Sequence, residues 1–256
     1  FINYLIIRGL YLFFTMTDTS QNKTKLNGVS ALFFGRKNDA NSERCAKHLE
    51  NLGFKVIVVW SSKRDDKLPQ YIFDLSFDYI FCYRSFYVLP KSLLDKANLH
   101  SINFHPGTPK YPGSGGINFA IYNEDKRFGI TVHLMNEKID NGKIIDVTYF
   151  PIVESDNLKS LLQKTHECLF SSFINFSTKV RESGPQYIKE MTDKNTNLTW
   201  HNVKRTIKEV DDYQTVYPDI EPKELERRIR AFNNSSYPIT LKFHGKKFIF
   251  DSSNDD

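Results

Sequence analysis

The sequence predicts an α/β fold: a Rossmann-like, mostly parallel sheet with helices on both faces, followed by a small C-terminal helix and β-hairpin appendage. Three observations predict it. Runs of branched and aromatic apolar residues of strand length alternate with helical stretches from Val29 to about Arg181. At 256 residues and 40% hydrophobic content the chain is long enough to build one sizeable core. From Gly184 onward the pattern loosens into polar sequence with a second, smaller set of elements.

The first strand is Val29-Ser30-Ala31-Leu32-Phe33-Phe34, ending at Gly35, and its unbroken apolarity suits a strand covered on both faces. Residues 42–52 follow as a helix with a polar face, then Val56-Ile57-Val58-Val59-Trp60 as the second strand. After a charged loop, Tyr79-Ile80-Phe81-Cys82-Tyr83 makes the third. Pro90 opens a short helix and a fourth strand runs through Ile102 to His105. Such βαβ units cross over right-handed and leave ligands outside the carboxyl ends of the strands. Gly35, the loop Arg84 to Leu89 and the loop after His105 should therefore share one rim. Further strands are expected at Ile130 to Met135 and Ile144 to Phe150, then a helix from Asn157 to about Arg181 with one apolar face. The polar stretch 190–199 resembles a linker before Pro222 opens a basic helix to Phe232 and a hairpin turns at His244-Gly245. The expected division is thus a leader at 1–27, a catalytic domain at 28–183 and an appendage at 184–256, with a frayed end at Ser252 to Asp256.

The first fourteen residues, Phe1 to Phe14, are mostly apolar but are interrupted by Asn3 and Arg8 and are too few to span a bilayer; with no small-residue cleavage site following, residues 1–15 read as translated upstream sequence, with a short secretion signal or a surface anchor as the alternative. Cys45, Cys82 and Cys168 lack the paired spacing of a zinc or redox motif and favour a reducing, cytoplasmic setting. No metal site is expected. The formal charge of +5 is diffuse, which argues against nucleic acid as partner and suits an anionic small molecule.

One segment stands apart: Asn103-Phe104-His105-Pro106-Gly107, then Pro109-Lys110-Tyr111-Pro112-Gly113, and later Ile139-Asp140-Asn141-Gly142. Asn103 and His105 lie two apart at a strand end, so both side chains point to one side, and Pro106 with the glycines ends the strand and leaves that face open. Asp140 sits in an Asp-Asn-Gly turn between two strands, which allows its carboxylate to return to the same rim. His133, on a strand beside Thr131 and Met135, either neighbours the site or is a core histidine with a hydrogen-bond partner.

The strings NFHPGTPKYPG and GITVHLMNEKIDNGKII resemble the catalytic domain of the folate-dependent formyltransferases, well over about 80 to 152 and loosely over the first strands. That family's Asn and His fall on Asn103 and His105, and the Asp of its D-x-G motif on Asp140. The resemblance implies 10-formyltetrahydrofolate as cofactor, with the pterin near the loop Arg84 to Leu89 (Arg84, Phe86, Tyr87, Leu89) and the backbone from Ile139 to Gly142. Moving a formyl group to an amine calls for an oxyanion donor, a group to manage the amine proton and a charge to orient the imidazole, and an amide, an imidazole and a carboxylate supply them.

Three departures from the family pattern bear on the substrate. Pro112-Gly113 replaces an Arg-Gly usual in the methionyl-tRNA enzymes, and the tail is short beside their barrel, which argues against a tRNA. Gly35-Arg36-Lys37-Asn38-Asp39 replaces the Gly-Ser-Asn loop of the purine-pathway members. Gly107-Thr108-Pro109 replaces Ser-Leu-Leu-Pro, similar to the sugar-modifying members. The leading expectation is an N-formyltransferase acting on a nucleoside-diphosphate amino sugar, a homodimer by the same resemblance, with Lys110, Tyr111, Trp200 and Arg205 on the substrate. Trp200, His201, Lys204 and Arg205 suit a nucleobase and a diphosphate, or else form a solvated helix face. Arg84, Phe86 and Tyr87 either stack on a pterin or face solvent as an ordinary loop. The competing functions are formylation of an amino acid or of glycinamide ribonucleotide, and a folate-binding module without turnover.

Overall fold

The computed structural model describes residues 28–234 and 237–250; the leader at 1–27 and the tail from Ser252 lie outside the described residues. Six strands form the main sheet in the order β2-β1-β3-β4-β5-β6: β1 (Ser30–Arg36), β2 (Lys55–Ser61), β3 (Phe77–Tyr83), β4 (Ala97–His105), β5 (Arg127–Leu134) and β6 (Ile144–Pro151). The first four are parallel, and β5 and β6 join antiparallel. The Rossmann-like expectation is met, with an antiparallel edge.

Both faces of the sheet are covered, which is why β1 reads as a continuous apolar run. Ala31 and Phe33 pack with α1 (Ala40–Asn51) and the long helix α4 (Leu158–Lys194) through Cys45, Leu49, Leu169 and Phe173. Leu32 and Phe34 face the opposite way, into a core completed by Ile72 of a 3₁₀ turn and by Leu93 and Leu94 of α2 (Lys91–Leu94). A strand sandwiched between two such layers has no polar side to alternate with. Phe173 stands at the centre of the first layer, its ring against Phe33, Phe81, Tyr83 and Phe104.

The helix expected to end near Arg181 continues to Lys194, across the boundary expected at 183. Gly184 takes a non-helical conformation (φ 61°, ψ −149°) and Pro185 cannot donate a backbone bond, so the helix bends there, but Ile188 beyond the bend is buried in the same core and draws the chain back onto it. Only residues 195–199 of the expected 190–199 linker are irregular. Four elements were not foreseen among the described residues: the 3₁₀ turn at Gln70–Asp74, α3 (Gly116–Tyr122), α5 (Ile207–Gln214) and the two-residue β7 (Thr215–Val216). α6 (Pro222–Phe232) and the hairpin β8 (Thr240–Phe243) and β9 (Lys246–Ile249) follow as expected. The appendage shares a core with the sheet: Val216, Ala231, Phe232 and Ile239 pack with Phe119, Phe128, Leu158 and Leu161.

Candidate active site

Strands β1, β3 and β4 end side by side, bringing Gly35-Arg36, Arg84 and His105 to one edge of the sheet. Strand alternation points Asn103 and His105 the same way. The turn between β5 and β6 then folds Asp140 back onto them. It is held by Gly142, where a Cβ would lie 1.7 Å from the Leu134 carbonyl oxygen, so no side chain fits. Asp140 itself adopts φ 45°, a left-handed conformation that Asp tolerates better than most residues. Backbone held in this region near a polar cluster marks a functional candidate.

The three expected residues meet. Asp140 Oδ2 lies 3.4 Å from His105 Nδ1 and accepts a 2.8 Å bond from the Gly113 amide, and its Oδ1 is 3.6 Å from His133 Nε2. Asn103 Nδ2 is 3.0 Å from His133 Nε2. His133 Nδ1 faces the Leu134 carbonyl at 2.8 Å, so the tautomer with hydrogen on Nδ1 donates there and its Nε2 accepts from the Asn103 amide. That leaves Asn103, which is only partly buried, a second N–H free to point outward. His133 is 2% exposed and Asp140 and His105 are each 6% exposed, so the cluster is almost closed to solvent.

Burial acts against charge on both titrating members, with opposite outcomes. For Asp140 burial is outweighed by the attraction of His105 together with the Gly113 amide bond, and the carboxyl is held well below the usual carboxylate range. For His105 burial prevails, helped by His133, over the pull of Asp140 and of the Tyr111 carbonyl, and its pKa falls below the ordinary histidine value. The resting imidazole is therefore neutral, yet it lies between two acceptors, Asp140 Oδ2 and the Tyr111 carbonyl 3.0 Å from Nε2. A neutral ring donates to only one of them and an imidazolium to both. The surroundings thus favour a proton arriving on His105 during reaction more than one resident beforehand.

A cleft of about 500 Å³ opens between α2, the first half of β4 and the turn after β5, lined among others by Lys91, Leu94, Ala97, Leu99, Met135 and Asn141, and none of Asn103, His105, His133 and Asp140 lines it. The volume is in the range of small-molecule sites. Among the expected pterin contacts, Leu89 is buried against Leu93 and Leu94, Tyr87 rests on Phe34, and Ile139 is exposed. Phe86 instead carries the Arg36 guanidinium 4.0 Å above its ring, and Arg84 pairs with Asp39 at 2.6 Å. Arg64, in the loop after β2, lies 6.0 Å from the same ring.

Of the expected substrate contacts, Lys110, Tyr111 and Arg205 line a second cavity of about 180 Å³. The Tyr111 hydroxyl is engaged inside the protein, donating to Asp125 at 2.8 Å, and Lys110 pairs with the same carboxylate. Trp200 is not on a helix face. Its ring meets His105 and His133 edge-on, with centroids 5.6 and 5.0 Å away, and its indole N–H donates to the Gly142 carbonyl at 2.7 Å.

With this geometry in view, residues 5–175 match the family described as Formyl transferase. The chain belongs to that family. Among curated family members it is 24% identical over 207 residues to the methionyl-tRNA formyltransferase of Prochlorococcus marinus (strain NATL2A), covering 72% of this chain and 61% of that protein. It is 33% identical over 160 residues to the methionyl-tRNA formyltransferase of Hydrogenobaculum sp. (strain Y04AAS1), covering 62% and 45%. The chain thus spans less than two thirds of the length of these relatives. In three dimensions it resembles a sugar N-formyltransferase from Shewanella sp FDAARGOS_354, with a TM-score of 0.67 at 16% identity over 87% of this chain and 96% of that one. It also resembles the N-formyltransferase from Helicobacter canadensis solved with folinic acid and dTDP-3-aminofucose, with a TM-score of 0.62 at 17% identity over 86% of each. At that identity the likeness establishes the fold, and the Rossmann-like reading stands.

Within this cluster, His133 is the member that sequence reasoning left as a neighbour. It lies directly opposite Asn103 in the β4–β5 pairing, a register that alternation alone does not reveal.

Proposed function

We propose that this protein is an N-formyltransferase that moves the formyl group of 10-formyltetrahydrofolate to the amine of a nucleoside-diphosphate amino sugar. The observation that carries the reading is the meeting of Asn103, His105 and Asp140, drawn from separate parts of the chain, at one nearly closed point where His133 joins Asn103 to Asp140. The bound folate brings the activated formyl carbon. The free N–H of Asn103 donates to the formyl oxygen as it gains charge. His105 accepts the proton of the attacking amine and returns it to the departing nitrogen, and Asp140 holds the imidazolium meanwhile.

The sugar-nucleotide assignment rests on the departures at Gly107-Thr108-Pro109 and Pro112-Gly113 and on the guanidiniums of Arg36, Arg64 and Arg84, which suit a diphosphate. Lys110, Tyr111, Trp200 and Arg205 complete the acceptor side in this reading. The curated relatives favour a second one, formylation of methionyl-tRNA. Incubating purified protein with 10-formyltetrahydrofolate and, separately, thymidine and uridine diphosphate amino sugars, glycinamide ribonucleotide and charged methionyl-tRNA discriminates them by mass. A sugar nucleotide heavier by one formyl group is the expected result, and formylation of the tRNA alone would overturn it. The reading carries a cytoplasmic homodimer, and light scattering on the purified chain tests the assembly. Among the described residues no helix is long and apolar enough to cross a membrane.

A further inference from the structure

Neither nitrogen of His105 is open to an incoming amine. Nδ1 faces Asp140, and Nε2 is covered by the Tyr111 carbonyl at 3.0 Å, with Gly107 so close that a Cβ there would stand 2.5 Å from Nε2. The loop that carries Tyr111 is in turn clamped from outside by residues 199–205. The His201 amide donates to the Pro109 carbonyl at 2.8 Å, the Arg205 amide to Pro112 at 3.1 Å, and the Ser114 amide to Arg205 at 3.0 Å. Lys204 Nζ reaches the Ile139 carbonyl beside Asp140. Trp200 closes the remaining side with its ring edge on both imidazoles.

The strap is anchored at its two ends, by Trp200 against the imidazoles and by the Arg205 backbone against Gly113, and its middle is not packed into the site. Residues 201–204 are exposed, the segment has no helix or strand apart from an isolated bridge between Arg205 and Gly113, and the 180 Å³ cavity lies between its His201, Val203 and Arg205 and the Lys110, Tyr111 and Asn123 beneath. A segment tied by a few solvent-reachable hydrogen bonds and little apolar burial opens at low free-energy cost. The chemistry supplies the reason for a cover. Water competes with the amine: its oxygen can bond to the formyl carbon, the carbon–nitrogen bond to the folate then breaks, one water proton goes to that nitrogen and formate departs. A closed site suppresses this side reaction.

We propose that the strap 199–205, with Trp200 as its sealing side chain, keeps water from the His105–Asp140 pair until an acceptor opens it, so that Trp200 selects the amine over water. This rests on the formyltransferase reading. The test is formate release from 10-formyltetrahydrofolate without acceptor, compared with formyl transfer to dTDP-3-aminofucose or whichever amine the wild-type protein accepts. Trp200→Ala should raise acceptor-independent hydrolysis on the order of tenfold and raise the hydrolysis-to-transfer ratio further, whereas Trp200→Phe should restore most of the seal. A partly unfolded variant loses both activities together, so the ratio separates gating from damage. Lys204→Ala, which frees the strap at Ile139 and leaves Trp200 in place, should raise the same ratio less. An unchanged ratio in both variants would overturn the proposal. Failure of the wild-type protein to transfer a formyl group at all, with folate cleavage also absent, would instead overturn the underlying reading.

Discussion

Replacing Asp140 by Asn removes one charge and little else. The amide keeps an oxygen for the Gly113 N–H, and Asn occupies the left-handed backbone at φ 45° as readily as Asp, so the turn should persist. What disappears is the negative charge 3.4 Å from His105 Nδ1. Unit charges at that distance attract by about 5 kcal/mol at the effective dielectric of about 20 that serves for such sites. The resting imidazole is neutral, so this attraction is felt only when His105 holds the proton of the attacking amine, which places the loss in the chemical step. If roughly half of it survives the cost of keeping the carboxylate buried, about 3 kcal/mol of barrier, or on the order of 100-fold in rate, separates the variant from the wild type.

Steady-state formyl transfer followed by mass spectrometry gives kcat, and folate affinity measured by fluorescence or calorimetry gives the ground state. The expected variant binds folate within a few-fold of wild type and turns over on the order of 100-fold more slowly. The pH profile adds a sign. Asp140 raises the His105 pKa against burial, so without it the acidic limb of kcat/KM should move to lower pH. A well-folded variant within about threefold of wild-type kcat, or a limb moving toward higher pH, would refute the electrostatic role.

Asn103→Ala should lower kcat on the order of 100-fold or more, the usual consequence of losing one oxyanion donor, with folate binding nearly unchanged in a titration. Gly142→Ala forces a methyl group against the Leu134 carbonyl oxygen and should cost roughly 2–4 kcal/mol, seen as a clear fall in Tm by calorimetry together with lost activity. Arg36→Ala should raise KM for the nucleotide-linked acceptor about tenfold in steady-state kinetics, because its guanidinium, stacked on Phe86 with Arg64 nearby, supplies positive charge for a diphosphate. Acidification should destabilise the fold through His166, whose pKa is lowered to about 4 by burial and then by Arg84. Its neutral form is what the fold accommodates, so stability is intact above the unfolded value of 6.5 and falls as pH drops from there toward 4, by about 2 kcal/mol once its partial exposure is discounted. Chemical denaturation at pH 7 and pH 4.5, with His166→Gln as control, measures this.

What could be read from the sequence follows the length scale over which each contact is encoded. Asn103 and His105 were legible because strand alternation acts over two residues, and Asp140 because its Asp-Asn-Gly turn has a local signature. The two-layer core was legible because β1 shows no polar side. The bend at Gly184 and Pro185 looks like an ending, and only the burial of Ile188 in a core built by distant strands makes it a continuation. α5 carries a capping box from Thr206 to Glu209, a signal present in the sequence, but at eight residues it is short and it buries no residue fully. The strap over the site is the extreme case. Its clamps are backbone amides of His201 and Arg205 meeting backbone carbonyls of Pro109 and Pro112, and such contacts leave no mark on side-chain identity. Trp200 is the part of it written in the sequence, and there the residue type suggested a nucleobase partner, whereas its place in the fold sets it against the imidazoles of His105 and His133. Residues that act through their own chemistry can be found by pattern, while a cover that acts by position becomes visible only once the chain on which it closes has been folded beneath it.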